Sequence, residues 1–236
     1  MSWELARSEG SAPGSGIDIH PLEDEEFEAV CSHLPGRSRT QHEHRMAHQK
    51  AGRSFYLIAW VDGVPAGHVG ILFPDHRQIE DRCEWGDVGI VSDLWVEPAF
   101  RGRGAGRALM QALEREAVRA DLPGIGLDTG LHEGYDAARA LYRSLGYVDK
   151  GGVFIQSAAL PADSVLPSFF EILTIWMKPL PQVRRLRLAE VDRLQAGMPS
   201  WNASEYAKRF AAQVRGELVQ VVAWLGDEPI GRGMVL

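Results

Sequence analysis

A glycine-rich turn between a predicted strand and a predicted helix is the part of the sequence best suited to bind an anion. Glycines allow several backbone N–H groups to converge on one anion without obstruction by Cβ atoms, and the N-terminus of the following helix adds the positive end of its dipole. Arginine side chains supply further positive charge. The turn therefore predicts a pyrophosphate site made by Arg101, Gly102, Arg103, Gly104, Ala105, Gly106 and Arg107.

The turn differs from two familiar nucleotide-binding loops. No Gly-Lys-Ser/Thr follows it, so it is not a P-loop, and Arg107 stands where the dinucleotide fingerprint has its third glycine. The residues on either side of the turn must therefore indicate which ligand it holds.

Two linked motifs resemble those of the GNAT superfamily of N-acetyltransferases. Arg101-x-x-Gly104-x-Gly106, after a strand, is similar to the coenzyme A signature of that family, and the run from Ala138 to Tyr147 is similar to its Ala-x-x-Leu-Tyr-x-x-x-Gly-Phe/Tyr helix. The resemblance implies a mixed α/β sheet with the GNAT fold, acetyl-CoA (coenzyme A) as co-substrate, and acetyl transfer to a primary amine.

The resemblance also implies roles for individual residues. The pantetheine arm would lie along the strand before the turn, which gives coenzyme contacts at Leu94, Trp95 and Val96. Backbone N–H groups around Trp95 and Val96 would stabilise the oxyanion that develops on the acetyl group. Tyr142 corresponds to the tyrosine near the thioester sulfur, where it would contact the coenzyme and donate a proton or a hydrogen bond. Packing beneath the cofactor is its alternative role.

A general base is expected on the strand that precedes the turn. Asp93 occupies a position where many family members carry an acid, and it is predicted to act as the base or to bind the amine. A salt-bridged acid is the alternative role. Strand alternation puts Asp93 and Trp95 on one face, and Leu94 and Val96 on the other. The alternative bases lie just upstream, at Glu80, Glu84 and Asp87.

One position departs from the pattern of the family. Many members carry Asn seven residues before the tyrosine, and this chain has Tyr135 there. The coenzyme contact that this Asn usually makes would fall to Asp136 or to a backbone group.

Three histidines, His42, His44 and His48, lie on one predicted helix. Met46 occupies the last position of a His-Glu-x-x-His motif, so no metal site is predicted. The helix lies in the part of the fold that usually surrounds the acceptor. The histidines therefore either contact the acceptor or form a solvated face.

The secondary structure that must position these residues alternates between strands and helices, which predicts crossover connections and a mixed sheet. Strands are predicted over residues 17–19, 55–61, 67–73, 88–96, 125–129, 153–155 and 171–177. Helices are predicted from residue 21 and over residues 40–50, 107–120 and 136–145.

An internal repeat predicts a second, incomplete copy of the fold. The segment 45–72 aligns with the segment 209–236 without a gap, and nine of the aligned positions are identical. We expect a flexible tail over residues 1–16, a catalytic domain over residues 17–180 and a half domain with a helix and a hairpin over residues 181–236. The hairpin is expected to dock on the catalytic domain or on a second chain, which would give a homodimer.

Composition limits the partners. The net charge of −7 argues against nucleic acid and favours a small cationic amine. No apolar run approaches the roughly 20 residues that span a bilayer. The segment 1–16 lacks the pattern of a signal peptide, and Cys31 and Cys83 suit a reducing compartment, so the cytoplasm is expected.

Two alternative functions remain open on sequence alone. One is acetylation of a protein or peptide amine. The other is a non-catalytic module that binds acyl-CoA and uses the repeat for assembly.

Overall fold

The computed structural model describes residues 16–74, 86–159, 168–199 and 203–235, so the predicted tail lies outside the described residues except for Gly16. A seven-stranded sheet has the order β1-β2-β3-β4-β5-β7-β6. Its strands are β1 (Ile17–Pro21), β2 (Ser54–Val61), β3 (Val64–Leu72), β4 (Gly89–Val96), β5 (Gly124–Gly130), β6 (Val148–Ala159) and β7 (Ser168–Pro179). The accompanying helices are α1 (Phe27–His33), α2 (Arg39–Lys50), α3 (Ala105–Arg119) and α4 (Asp136–Ser144).

The sheet is mixed, as predicted. β4 and β5 are parallel, and α3 lies between them in the chain as the crossover. The other neighbouring strands are antiparallel. The predicted α/β fold is therefore confirmed.

Helices cover both faces of β2, which explains its continuous apolar sequence. Leu57 and Ala59 pack in a cluster with α3, whereas Tyr56 and Ile58 pack on the opposite face with α1. Side chains alternate along a strand, so a strand buried on both sides needs apolar residues at every position. β2 pairs with β3, and β3 pairs with β4, the strand that precedes the glycine-rich turn.

Two predicted strands are longer than their sequence signals. β6 and β7 each have 12 residues and pair along most of their length. The signal for β6 is short because glycines at 151 and 152 interrupt it, and the register shifts between Asp149 and Val153.

Among the described residues, none of the helices combines the length and the apolar composition that crossing a membrane requires.

A three-stranded sheet follows in the chain, with the order β10-β9-β8. Its elements are β8 (Pro181–Arg185), α5 (Val191–Gly197), α6 (Ala203–Val214), β9 (Val219–Leu225) and β10 (Glu228–Val235). The predicted helix and hairpin are present, and β8 and α5 extend the repeated part beyond the prediction. The first sheet ends at Pro179 and this one begins at Pro181, while the division into domains at residue 180 stays a prediction.

The two regions share a backbone contact and element bounds at the offset of the sequence repeat. Leu22 N donates to Tyr56 O at 3.1 Å, and at the equivalent positions Leu186 N donates to Gln220 O at 3.1 Å. The bounds of β1, α1 and α2, moved by the same offset, are those of β8, α5 and α6. That residues 181–236 are half of a second domain of one family stays a prediction, as does the docking of the β9–β10 hairpin.

Candidate active site

A cleft opens where two neighbouring strands separate. β4 and β5 pair at only two positions, Gly89 with Ile125 and Ile90 with Gly126. Beyond these pairs lies a cleft of about 810 Å³, bounded by β4, the glycine-rich turn, β5 and α4. An extended ligand arm can lie along the edge of a strand and hydrogen-bond to its backbone. The cleft has the form that such an arm requires.

The glycine-rich turn forms one end of the cleft. Gly102 and Gly104 have φ values of +74° and +94°, in the left-handed region that glycine adopts without strain. Gly104 is the N-cap of α3; among the described residues no side chain caps the helix, and no acid lies in its first turn. The first N–H groups of a helix have no partner within the helix. These groups fit the pyrophosphate of a coenzyme.

The three arginines of the turn differ in position. Arg101 lines the cleft, donates from Nε to Val96 O at 2.9 Å and lies 4.8 Å from the Trp95 ring. Arg107 also lines the cleft and donates to Ser144 Oγ at 2.7 Å, which joins α3 to the end of α4. Arg103 packs 5.8 Å from the ring of Phe100 and is not part of the lining. The structure brings two of the three predicted arginines to the cleft.

Tyr142 lies on α4 and lines the cleft opposite β4, with only 6% of its surface exposed. Burial, together with the smaller effect of the charge of Asp128, raises the pKa of its hydroxyl to about 12. The ring lies 6.0 Å from that of Tyr147. Tyr142 therefore stays protonated at neutral pH and can donate a hydrogen bond.

Asp93 lies at a bulge in β4. Gly70 pairs with Ser92 and His68 with Trp95, so β4 holds one residue more than β3 across this interval, and Asp93 has a φ of +58°. Leu94 packs with the α3 core, whereas Asp93 and Trp95 face Arg37 on the other side. The predicted alternation of these side chains is therefore confirmed.

Two arginines hold the Asp93 carboxylate. Arg37 binds both of its oxygens, with Nε at 2.6 Å from Oδ2, and Arg45 lies 2.5 Å from Oδ2. Burial alone would raise the pKa of Asp93, but the hydrogen bond from Arg37 and the charge of Arg45 outweigh it and lower the pKa to about 2. Asp93 has the contacts of the salt-bridged acid, and such a carboxylate is a weak base. Its predicted role as base or amine-binding group is not supported by these contacts.

A buried polar network lies behind Asp93. Burial lowers the pKa of His68 to about 3, so the ring is neutral; Arg45 donates to its Nδ1 at 3.3 Å. His42 Nδ1 accepts from the Tyr56 hydroxyl at 2.8 Å. His42 is fully buried, so the prediction of a solvated face was wrong for this residue. Tyr56 explains why His42 can be buried, because its hydroxyl forms a hydrogen bond with the imidazole inside the core.

The remaining predicted positions lie at varying distances from the cleft. His44 and His48 are exposed, with ring centroids 6.2 Å apart. Asp87 is exposed and does not line the cleft, whereas Tyr135 does. Within residues 16–74, 86–159, 168–199 and 203–235, no three His, Cys, Asp or Glu side chains are grouped to hold a metal. Two alternative bases and one cysteine lie outside the described residues, namely Glu80, Glu84 and Cys83.

Three charged residues of the site were missed by sequence reasoning. Arg37 and Arg45 lie on or before α2, far ahead of Asp93 in the chain, and no local pattern links them to it. Asp128 lines the cleft from β5, where the other six residues are buried. An acid inside an apolar strand pattern was the available signal for Asp128.

Two curated proteins match parts of the chain. An IAA acetyltransferase of Azospirillum brasilense is 42% identical over 67 residues, which are 28% of this chain and 42% of that protein. A mycothiol acetyltransferase of Clavibacter sepedonicus is 38% identical over 79 residues, which are 34% of this chain and 24% of that protein. The chain therefore matches less than half the length of either relative.

The fold and the sequence point to one family. A Salmonella typhimurium protein, yncA, solved with its cofactor acetyl-CoA, superposes with a TM-score of 0.53 and 19% identity over 70% of this chain and 95% of that one, and so shares its fold. The sequence model of the acetyltransferase (GNAT) family matches residues 17–147, more than half of the chain, which include the glycine-rich turn, β4, β5 and Tyr142. The chain belongs to the acetyltransferase (GNAT) family.

Proposed function

We propose that this chain transfers the acetyl group of acetyl-CoA to the primary amine of a small molecule. The observation that carries the proposal is the single cleft on which the glycine-rich turn, the separated edges of β4 and β5, and Tyr142 all converge. The two curated relatives are named for IAA and mycothiol, and neither name refers to a protein acceptor. These names favour a small acceptor over a peptide.

The turn and β4 would bind the coenzyme. The N–H groups of the first turn of α3 would hold the pyrophosphate, with Arg101 and Arg107 at the rim. Bound acetyl-CoA supplies an activated acyl thioester. The cleft edge of β4, from Leu94 to Val96, would hold the pantetheine arm in line with the amine.

Val96 is the best-placed oxyanion donor on β4. Glu97 N donates to Ala66 O on β3 at 2.9 Å. Successive N–H groups of a strand point to opposite sides, so the N–H of Val96 points away from β3 and towards the cleft. The N–H of Trp95 points towards β3. We therefore narrow the expected donor from the pair Trp95 and Val96 to Val96.

Tyr142 would stabilise the leaving sulfur through a hydrogen bond. A free thiol has a pKa of about 8.5, well below the value of about 12 for this phenol. Complete proton transfer from Tyr142 to the thiolate would therefore be uphill. Of the two predicted roles, hydrogen-bond donation suits the buried hydroxyl better than full proton donation.

Asp93 would act as a fixed charge that holds Arg37 and Arg45. Both guanidinium groups bind its carboxylate, so it has little remaining capacity for a substrate proton. This role places Asp93 in the wall of the acceptor side. The amine would react in its neutral form, and the proton that it loses on acylation would pass to the departing thiolate or to solvent rather than to Asp93.

Thiol release from acetyl-CoA tests the proposal. The full chain is incubated with acetyl-CoA and a panel of small primary amines, with a peptide α-amine as a further arm. We expect release that depends on a small amine. Release with the peptide alone would transfer the proposal to a protein acceptor. Tight coenzyme binding with no release for any amine would show a non-catalytic acyl-CoA module.

A further inference from the structure

An ion cluster of two arginines and one carboxylate forms part of the cleft wall. Arg37 and Asp93 line the cleft, and Arg45 reaches the same carboxylate from α2. Arg45 does not line the cleft and instead borders a separate cavity of about 250 Å³. Arg37 is therefore the cation of this cluster that a ligand in the cleft can contact.

The cluster holds one positive charge more than its carboxylate balances. In the part of the chain that the structure describes, Asp93 is the only acid that contacts either arginine. His68 also lies beside Asp93, but it is neutral because burial lowers its pKa to about 3. Asp128, the other acid among the described lining residues, lies on β5, has an interaction of its own and contacts neither arginine. The surplus charge therefore has the size that one monoanion balances.

Arg37 is held in place and still has donors to offer. A guanidinium has five N–H groups. Arg37 uses Nε and Nη2 on Asp93 and Nη1 on Gly36 O, at 2.7 Å, so two of the five remain. The guanidinium also lies 5.6 Å from the ring of Trp95, which lines the same cleft. A fixed guanidinium with free donors suits a carboxylate, because little freedom is lost when the ligand binds.

We propose that Arg37 binds a carboxylate of the acceptor, so that the chain acetylates small amino carboxylates. This inference rests on the proposed acetyl transfer and adds the substrate class to it. The net charge of −7 favours a cationic acceptor, but the charge of this cluster is local and favours the opposite class.

The same surplus charge suits the chemistry of the amine. A nearby positive charge lowers the pKa of an amino group, and only the neutral form attacks the thioester. Acetyl transfer then forms the C–N bond and breaks the C–S bond, and the proton leaves the nitrogen for the thiolate or for solvent. Arg37 takes no part in this proton transfer, because its role is to hold the far end of the acceptor.

The test compares acids with their amides in the Arg37→Gln variant. The acids are glycine, β-alanine and γ-aminobutyrate, which differ in the distance between the two groups, and each is paired with its amide. For the acid that the wild type prefers, we expect kcat/KM to fall about 10- to 100-fold in the variant, because a charged hydrogen bond is lost. For the matching amide we expect a change below about threefold. Arg37→Lys retains the charge and should restore part of the loss.

Two controls exclude a merely structural effect. Arg37→Gln leaves Asp93 paired with Arg45, so we expect it to fold, and thermal unfolding checks this. Arg39→Gln removes the same charge two residues away, from an exposed arginine that binds Glu28 and does not line the cleft. It should leave the kcat/KM of acids and amides unchanged.

A binding measurement separates this inference from the proposed function. Each compound is titrated into the protein saturated with coenzyme A, and we expect the preferred acid to bind at least about tenfold more weakly to Arg37→Gln than to the wild type. If this holds without any turnover, acetyl transfer fails and the carboxylate site stands. If amines are acetylated but acids and amides lose equally in the variant, or if none of the acids binds to the wild type, the role of Arg37 is overturned.

Discussion

The regions 17–72 and 181–235 share a backbone arrangement. They differ in the polar side chains at the positions that, in the first region, lie close to Asp93. Gln49 Nε2 donates to Leu22 O at 3.0 Å, and Gln213 Nε2 donates to Leu186 O at 3.0 Å. Each glutamine also accepts from the first residues of the following strand, at 2.9 and 2.8 Å. Contacts present in both regions are those that the helix and hairpin need to fold.

Polar contacts that differ between the two regions are not needed for the shared backbone arrangement. Tyr206 replaces His42, and its hydroxyl donates to Met198 O at 2.6 Å. Arg232 replaces His68 and binds Tyr206. The fold therefore accepts quite different polar groups at these positions. The His42 and His68 network of the first region is therefore not a requirement of the backbone, and it lies beside Asp93, which lines the cleft.

The largest expected effect comes from the glycine-rich turn. Replacing Gly104 with Val should lower acetyl-CoA affinity at least about 100-fold, because a Cβ at φ +94° strains the turn and blocks the approach of the anion. Calorimetric titration measures the affinity. Gly216→Val is the matched control, with φ +77° and open space around it. It should share a stability loss of roughly 1–3 kcal/mol and keep full affinity. Normal acetyl-CoA affinity in a folded Gly104→Val variant would contradict coenzyme binding by the turn.

Tyr142 in the cleft and Tyr206 in the region 181–235 should differ in what they do. Tyr142→Phe should lower kcat about 100-fold while changing acetyl-CoA affinity little, because the hydroxyl acts on the leaving sulfur. Steady-state kinetics and titration together measure the two quantities. Tyr206→Phe removes a buried hydroxyl bonded to Met198 and should lower stability without lowering kcat. If kcat of Tyr142→Phe falls by less than about threefold, the hydroxyl does not act on the leaving sulfur.

The ion pair of Asp93 predicts a stability difference at acid pH. The folded pKa of about 2 lies below the unfolded value of about 3.9, so the ionised form stabilises the fold above about pH 4 and this contribution is lost as the pH falls towards 2. Asp93→Asn should therefore unfold with about 2–3 kcal/mol less free energy than wild type at pH 7, and the gap should close near pH 2. Urea titrations at several pH values measure it. A gap that does not change with pH would contradict the ion pair.

The smallest effect on the cleft should come from removing residues 183–236. Among the described residues β10 pairs with β9 alone, and exposed strand edges are usually covered. We expect the full chain to be a dimer through this hairpin and the truncated chain to be a monomer with acetyl-CoA affinity within about threefold, since β10 does not line the cleft. Light scattering gives the mass. A truncated protein that is equally soluble, equally active and unchanged in oligomeric state would show the segment to be dispensable.

Local signals predicted the parts of the fold that depend on neighbours in sequence. The glycine-rich turn and the periodicity of α3 were predictable, because a helix start and its glycines are recognised within a few residues of sequence. The partners of Asp93 were not predictable, since Arg37 and Arg45 reach it only through the packing of α2 on the sheet. Asp128 could be singled out as an acid within a strand pattern but not assigned to the cleft, because the gap between β4 and β5 that exposes it forms only in the assembled sheet.

The central claim is acetyl transfer at this cleft, and the ratio of the two products of that reaction tests it most directly. The full chain is incubated with acetyl-CoA and an alkyl amine, and the released thiol and the acetylated amine are both measured, the latter by mass spectrometry. The account predicts one acetylated amine for each thiol, with both products lost in Gly104→Val and retained in Gly216→Val. Thiol without acetylated amine, or equal product from both variants, would contradict acetyl transfer at this cleft.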